Sequence, residues 1–263
     1  MTVNGRVAVV TGGTKGNGKG IAYELAKGGA KVSIFARDSD NSLESLVKKM
    51  NDEGYEVIGH TVDIRDREQI KRAVEATLET YGKIDILVNN AGVMSCMPFL
   101  KADEENIDFH IDINIKGTWN VTQCVLPEML KKKYGRIITI SSVTGGFVSD
   151  GEDTAYAISK AALIGFGKSI AMEYVKEGIT SNIVCPGYIR TPMVEKYALE
   201  EMPEDPEKFI NLLGEGIPVG RIGEPVEVGN LVTYLAGDEA GFITGATIVI
   251  DGGCILPETA CLT

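Results

Sequence analysis

In the stretch DTAYAISK, Asp153 to Lys160, a tyrosine stands four residues before a lysine. On a helix this interval puts Tyr156 and Lys160 on one face, with Cβ atoms about 5–6 Å apart. A phenol beside an ammonium is a candidate proton-transfer pair. With a pKa of about 10 an unperturbed phenol is a poor base at neutral pH, and a neighbouring cation favours the phenolate. The same residues also fit an amphipathic helix with Tyr156 in its core stripe and Lys160 snorkelling at its edge. The pair by itself leaves both readings open.

A second chemical feature lies near the start of the chain, where VVTGGTKGNGKGIAYELA reads as a buried strand, a glycine-rich turn and a helix. Glycines at 12, 16 and 18 permit a tight turn and close backbone approach, so that main-chain N–H groups and the helix N-terminus can meet a pyrophosphate. The spacing is TGxxxGxG rather than GxGxxG, and its strand-turn-helix context is the one a dinucleotide-binding turn requires. Thr14, Lys15 and Asn17 lie inside it.

The elements that must position these groups alternate along the chain. Short apolar runs (VAVVTG, KVSIFA, EVIGHTVD, IDILVNNAG, GRIITISS, TSNIVCPG, ATIVIDGG) are separated by helical patterns. The helices are expected over 18–28, 42–53, 68–81, 104–131 and 155–176. Such alternation predicts an α/β architecture, a doubly wound parallel sheet of seven strands with helices on both faces. One domain over 1–263 is the economical division. The segment 191–223, rich in Glu, Pro and Met, breaks the rhythm and reads either as a substrate-binding loop or as a surface excursion without function.

Composition bounds the partners. The 263 residues are 44% hydrophobic and 24% charged, with a formal net charge of -11 and a pI of about 4.8. This acidic balance argues against nucleic acid, anionic membranes and acidic carrier proteins. The five cysteines form no CxxC pair and no charged-then-apolar leader precedes the first strand, so a cytoplasmic protein with reduced thiols is expected. The two histidines, His60 and His110, lack zinc-ligand spacing, so neither a metal nor a histidine base is expected.

With these motifs in order, the chain resembles the short-chain dehydrogenases/reductases over essentially its whole length. TGxxxGxG is that family's phosphate turn. NNAG at 89–92 matches its fourth-strand motif, with Asn90, Ala91 and Gly92 beside the cofactor. HTVDI places Asp63, with Ile64 after it, where the family meets adenine. CPGYIRTP supplies Pro186, Gly187, Ile189 and Thr191, of which Ile189 and Thr191 hold the positions that contact the nicotinamide carboxamide and phosphates. Within the family the chain is similar to bacterial UcpA-type oxidoreductases and hydroxysteroid dehydrogenases.

The resemblance implies an active site of Asn114, Ser142, Tyr156 and Lys160, with hydride passing between a nicotinamide cofactor and a ketone or secondary alcohol. Tyr156 would be the general acid/base, Lys160 its electrostatic partner and ribose ligand, and Ser142 a donor to the substrate oxygen. Asn114 would hold a water in a proton relay through Lys160. Ser141 is the alternative serine, and Asn114 also reads as a capping or solvated residue. The four-residue Tyr–Lys interval is unlike that of the family's enoyl-reducing branch. The resemblance further implies a homotetramer, with ATIVIDGG and the tail PETACLT as candidate interface segments.

For cofactor choice, Arg37 after the second strand can pair with a 2′-phosphate and Lys15 adds a second positive charge, which favours NADP(H). Asp38, 20 residues beyond Gly18, would instead bind ribose hydroxyls and select NAD(H). Arg37 as a solvated surface cation is the bland alternative. Before the Tyr156 helix lie Asp150, Glu152 and Asp153, expected to complement the helix N-terminus or, in a sharper reading, to touch a substrate hydroxyl. The expected pocket wall, 93–99, 143–148, Tyr188 and 193–202, is mostly apolar and Met-rich, which suits a bulky ketone such as a hydroxysteroid. A 3-oxoacyl carrier-protein reductase is one alternative. A catalytically silent dinucleotide sensor is the other, and its signature would be a broken Ser, Tyr, Lys set.

Overall fold

The computed structural model describes residues 3–37 and 41–256. Seven strands form one parallel sheet in the order β3-β2-β1-β4-β5-β6-β7. They are β1 (Val7–Thr11), β2 (Lys31–Ala36), β3 (Val57–Thr61), β4 (Ile86–Asn89), β5 (Gly135–Ile140), β6 (Ile179–Pro186) and β7 (Thr247–Ile250). The expected α/β, doubly wound sheet is the one observed.

The strands read as continuous apolar runs because both faces are covered, and their side chains divide by parity. Ala8, Val10, Val32, Ile34, Ile86 and Val88 face a core completed by α1 (Gly16–Lys27), α2 (Ser42–Asp52) and α9 (Pro225–Ala236). Val9, Phe35, Leu87 and Ile137 face the other core, with α3 (Arg67–Tyr81) and α5 (Thr118–Lys132). In that second layer the buried hydroxyls of Ser33 and Thr77 satisfy each other at 2.8 Å.

Two segments bear on the site, the first of them a departure from sequence expectation. The helical region expected over 104–131 is a short α4 (Glu104–His110), a π-helical turn over Ile111–Gly117, and then α5. Gly117 is the last residue of that turn, and a Cβ there would lie 2.4 Å from Ile64 Cδ1. The 191–223 segment holds two helices, α7 (Pro192–Glu201) and α8 (Pro206–Glu215), each entered through a Pro at its start. The helix that carries Tyr156 and Lys160, α6, spans Thr154–Tyr174. Among the described residues no helix is long and apolar enough to cross a membrane.

Candidate active site

Strand order reverses between β1 and β4, and an open parallel sheet forms a crevice at such a point, beyond the carboxyl ends of its strands. Here it is lined by Gly12, Phe35, Ala36, Arg37, Val62, Asp63, Ile64, Ala91, Gly92, Val93 and Ile113. The glycine turn closes one end. Gly12 and Gly16 have φ of 65° and 50°, a left-handed backbone. Gly18, in the first turn of α1, lies so close beneath the glycine turn that a Cβ would lie 2.2 Å from Gly12 O. Asn90 Nδ2 donates to Thr11 O and Gly12 O (2.9 and 3.2 Å), while Asn90 N and Ala91 N both donate to Thr11 Oγ1 at 3.0 Å, tying β4 to β1 at the mouth.

The remaining expected cofactor residues surround this crevice. Arg37 is exposed at its rim; its rival Asp38 lies outside the described residues. Asp63 accepts from Arg65 N, Nε and Nη2 at 2.9, 3.0 and 2.5 Å, and this pairing holds its carboxyl below the usual range. Ile64 is buried. Pro186 ends β6, Gly187 N donates to Ile250 O at 3.0 Å, and Ile189 is buried. Thr191 caps α7 by accepting from Val194 N, and its methyl would lie 3.0 Å from a Cβ on Gly16, so the 186–191 turn closes over the glycine turn. Within that turn, beside Thr14 and Lys15, the buried Asn17 Oδ1 has no hydrogen-bond partner among the described residues. The bare backbone turn, the orphaned Asn17 oxygen and the strand-end crevice fit a dinucleotide.

Asn114, Ser142, Tyr156 and Lys160 come together at the inner edge of this crevice. Ser142 follows β5 and hydrogen-bonds the Tyr156 phenol. Its neighbour Ser141 points away and donates to Lys160 O at 2.7 Å, pinning α6 to the sheet. One helical turn after Tyr156, the buried Lys160 Nζ donates to Ile140 O at 3.1 Å. A Cβ on Gly92 would lie 3.3 Å from both Lys160 Nζ and Asn114 Oδ1. Gly92 therefore joins the crevice to the Tyr–Lys pair, where a side chain would wedge them apart.

Asn114, carried by the π-helical turn, is fully buried and so is neither a cap nor a solvated residue. Its Oδ1 accepts from Val93 N (2.8 Å), and its Nδ2 donates to Val93 O (3.0 Å) and Ser159 Oγ (2.9 Å). Both amide protons are thus committed, and one lone pair of Oδ1 is left.

The protein's own electrostatics, apart from any bound ring, oppose ionisation of the phenol. Burial pushes the phenol up to about 12, against the hydrogen bond from Ser142, and burial brings the Lys160 ammonium down to about 8. Desolvation disfavours each charged form, so the resting phenol is neutral and carries its proton.

Two features were missed from sequence. His110 is buried, with its ring edge-on to Tyr156 at a centroid distance of 6.3 Å. Its Nε2 accepts from Ser95 N (3.1 Å), so Nδ1, 2.7 Å from Asn106 O, carries the proton. With both nitrogens held by backbone, the ring buttresses Tyr156 and the 93–98 loop. Its helical spacing to Asn114 in HIDIN was the available signal. The second is the π-helical turn, which has no composition cue. Asp153, singled out from sequence, occupies the N-cap position of α6 but makes no side-chain cap bond. It accepts instead from Cys96 Sγ at 2.9 Å, so the expected capping gives way to a contact with the loop after β4.

Among the described residues no group of three or more His, Cys, Asp or Glu could hold a metal ion.

Comparison with known proteins agrees with this architecture. A family model described as Enoyl-(Acyl carrier protein) reductase matches residues 12–254. The chain is 48% identical to the oxidoreductase UcpA of Salmonella typhimurium, over 98% of this chain and 97% of that protein. It is 40% identical to the 3-oxoacyl-[acyl-carrier-protein] reductase FabG of Thermotoga maritima, over 97% of this chain and all of that protein. A crystal structure of a variant actinorhodin polyketide ketoreductase with NADPH superposes with a TM-score of 0.90 at 34% identity, covering 96% of this chain and 98% of that one. The chain belongs to the short-chain dehydrogenase/reductase family of oxidoreductases.

Proposed function

We propose that the protein is an NAD(P)-dependent enzyme that moves a hydride between the nicotinamide ring and a ketone or secondary alcohol. The observation that carries this reading is the Tyr156 phenol, hydrogen-bonded to Ser142 and one turn from the buried Lys160, at the edge of the strand-end crevice. When bound, the cofactor supplies or accepts the hydride. In reduction the neutral Tyr156 donates its proton to the oxygen of the reacting carbonyl, while Ser142 donates a hydrogen bond to that oxygen as charge develops. In oxidation Tyr156 must take the proton, and a positive ring beside it favours the phenolate. Lys160 holds the ribose and exchanges protons with a water at the remaining Oδ1 lone pair of Asn114. An intact Ser142, Tyr156 and Lys160 set speaks against a silent sensor.

The exposed apolar side chains Phe99, Phe147, Val148 and Met193, in segments expected to wall the pocket, support a bulky apolar substrate, hydroxysteroids included. A 3-oxoacyl carrier-protein reductase is the second reading, supported by the identity to FabG and opposed by the net charge of -11. Arg37 and Lys15 support NADP(H). The free thiols Cys96, Cys124, Cys185 and Cys254 suit a cytoplasmic setting. A homotetramer is supported by exposed Trp119, Ile158, Met172 and Phe242, and light scattering measures it.

The test is reduction of a panel of steroid ketones, sugars and oxoacyl thioesters, followed through cofactor absorbance with NADPH and with NADH. Turnover of a bulky ketone with a higher kcat/KM for NADPH is expected. A tenfold advantage for NADH overturns the cofactor assignment, and no turnover of any carbonyl overturns the activity.

A further inference from the structure

Of the two readings open to Asp153, helix capping and contact with a substrate hydroxyl, the first is not what the side chain does, since it makes no cap bond. Asp153 sits one helical turn before Tyr156 on the same face of α6, since an N-cap residue and the third helical residue share a side. The residue is nine-tenths buried, being 7% exposed. It takes the N-cap position, yet its carboxylate turns away from the helix N–H groups. Among the described residues, Cys96 Sγ is the side-chain donor that reaches it. A thiol is a weak donor and a poor match for an ionised carboxylate. The arrangement is held from both sides: Met97 N donates to Glu152 O at 2.8 Å, and Glu152 has a left-handed φ of 66°. The carboxylate also lies within electrostatic reach of the phenols of Tyr156, Tyr188 and Tyr197, each of which it helps to push up. Asp150 acts on Tyr188 and Tyr197 in the same sense. The Cys96 thiol and the phenols of Tyr156, Tyr188 and Tyr197 thus gather around a negative centre to which Asp153 and Asp150 contribute.

We propose that Asp153 is a specificity-determining residue: its carboxylate accepts a hydrogen bond from a hydroxyl on the body of the substrate and repels substrates that carry an anionic group. A hydroxyl is a stronger donor than the Cys96 thiol, and its bond to an ionised acceptor is charge-assisted. A carboxylate or phosphate in the same place meets a like charge in a desolvated setting, which is discrimination by repulsion. The substrate class is an apolar ketone or alcohol bearing a second, neutral hydroxyl. Acyl groups tethered to anionic carriers are disfavoured. This inference rests on the carbonyl chemistry proposed above but is read separately from it.

The experiment measures binding of a decalone panel to the full-length enzyme saturated with oxidised cofactor, by isothermal titration. The panel is the parent ketone, its ring-hydroxylated isomers and the corresponding carboxylates. At least one hydroxylated isomer is expected to bind tenfold or more tighter than the parent, with the carboxylates weakest. Asp153→Ala is expected to abolish the hydroxyl preference while leaving the parent within about twofold. Asp153→Asn is expected to admit the carboxylates. Cys96→Ala, which removes the competing donor and leaves Asp153 in place, is expected to tighten the hydroxylated isomer alone. Equal binding of parent and hydroxylated ketones by the unmodified enzyme overturns the inference. So does a loss in Asp153→Ala that is the same for every ligand. Hydroxyl-dependent binding without reduction of any ketone by NADPH overturns the proposed activity and leaves this assignment standing.

Discussion

At the residue scale, burial sets the protonation of the two central groups in opposite directions. Lys160 has a folded pKa of about 8 against an ordinary 10.5, so the unfolded chain binds more protons than the folded one between those values. Stability from this group therefore rises with pH across that window, and below about pH 8 the buried ammonium costs the fold up to about 3 kcal/mol. Replacing the ammonium by a methyl thioether removes that cost at the expense of the bond to Ile140 O. Lys160→Met is accordingly expected to melt above the parent near pH 7, with the difference shrinking as pH rises toward 10.5. A melting difference that stays constant from pH 7 to 10 contradicts the buried-ammonium account. Much of this scale was legible in sequence, because the Tyr–Lys interval of four is a helical one and each side chain arrives where that interval puts it. What was not legible was the sign of the Tyr156 perturbation. Desolvation depends on every neighbouring element, His110 among them, and no local interval encodes that.

At the element scale the glycine turn and the π-helical turn do related work, each bringing backbone or a polar side chain closer than an ordinary helix or strand allows. Gly18 shows how closely the first is packed, since a Cβ would meet Gly12 O at 2.2 Å and Asn90 Nδ2 at 2.4 Å. Overpacking of this kind costs roughly 1–3 kcal/mol. Gly18→Ala is expected to lower the melting temperature by several degrees and to weaken nicotinamide cofactor binding at least tenfold, by calorimetry and fluorescence titration respectively. Unchanged cofactor affinity contradicts the part given to the turn. The first turn was legible because glycine spacing is itself the signal, whereas the π-helical turn is produced by packing, with Gly117 pressed on Ile64 and Asn114 drawn to Val93.

At the scale of the whole molecule, the seven-strand order follows from strand-helix alternation, and the crevice from the reversal at β1 and β4. Sequence alternation therefore led to the right sheet. It was silent on how the 93–98 loop would meet the entry to α6, because Cys96 and Asp153 lie 57 residues apart. The most direct test of the central claim is Tyr156→Phe, which removes one hydroxyl and little packing. Paired measurements of ketone reduction and cofactor binding on this variant separate the chemistry from the fold. General acid/base groups contribute roughly 10²–10⁴ in rate, so kcat is expected to fall by at least that lower bound while the cofactor dissociation constant stays within about threefold. A variant that keeps full turnover contradicts the assignment of Tyr156 as the proton donor.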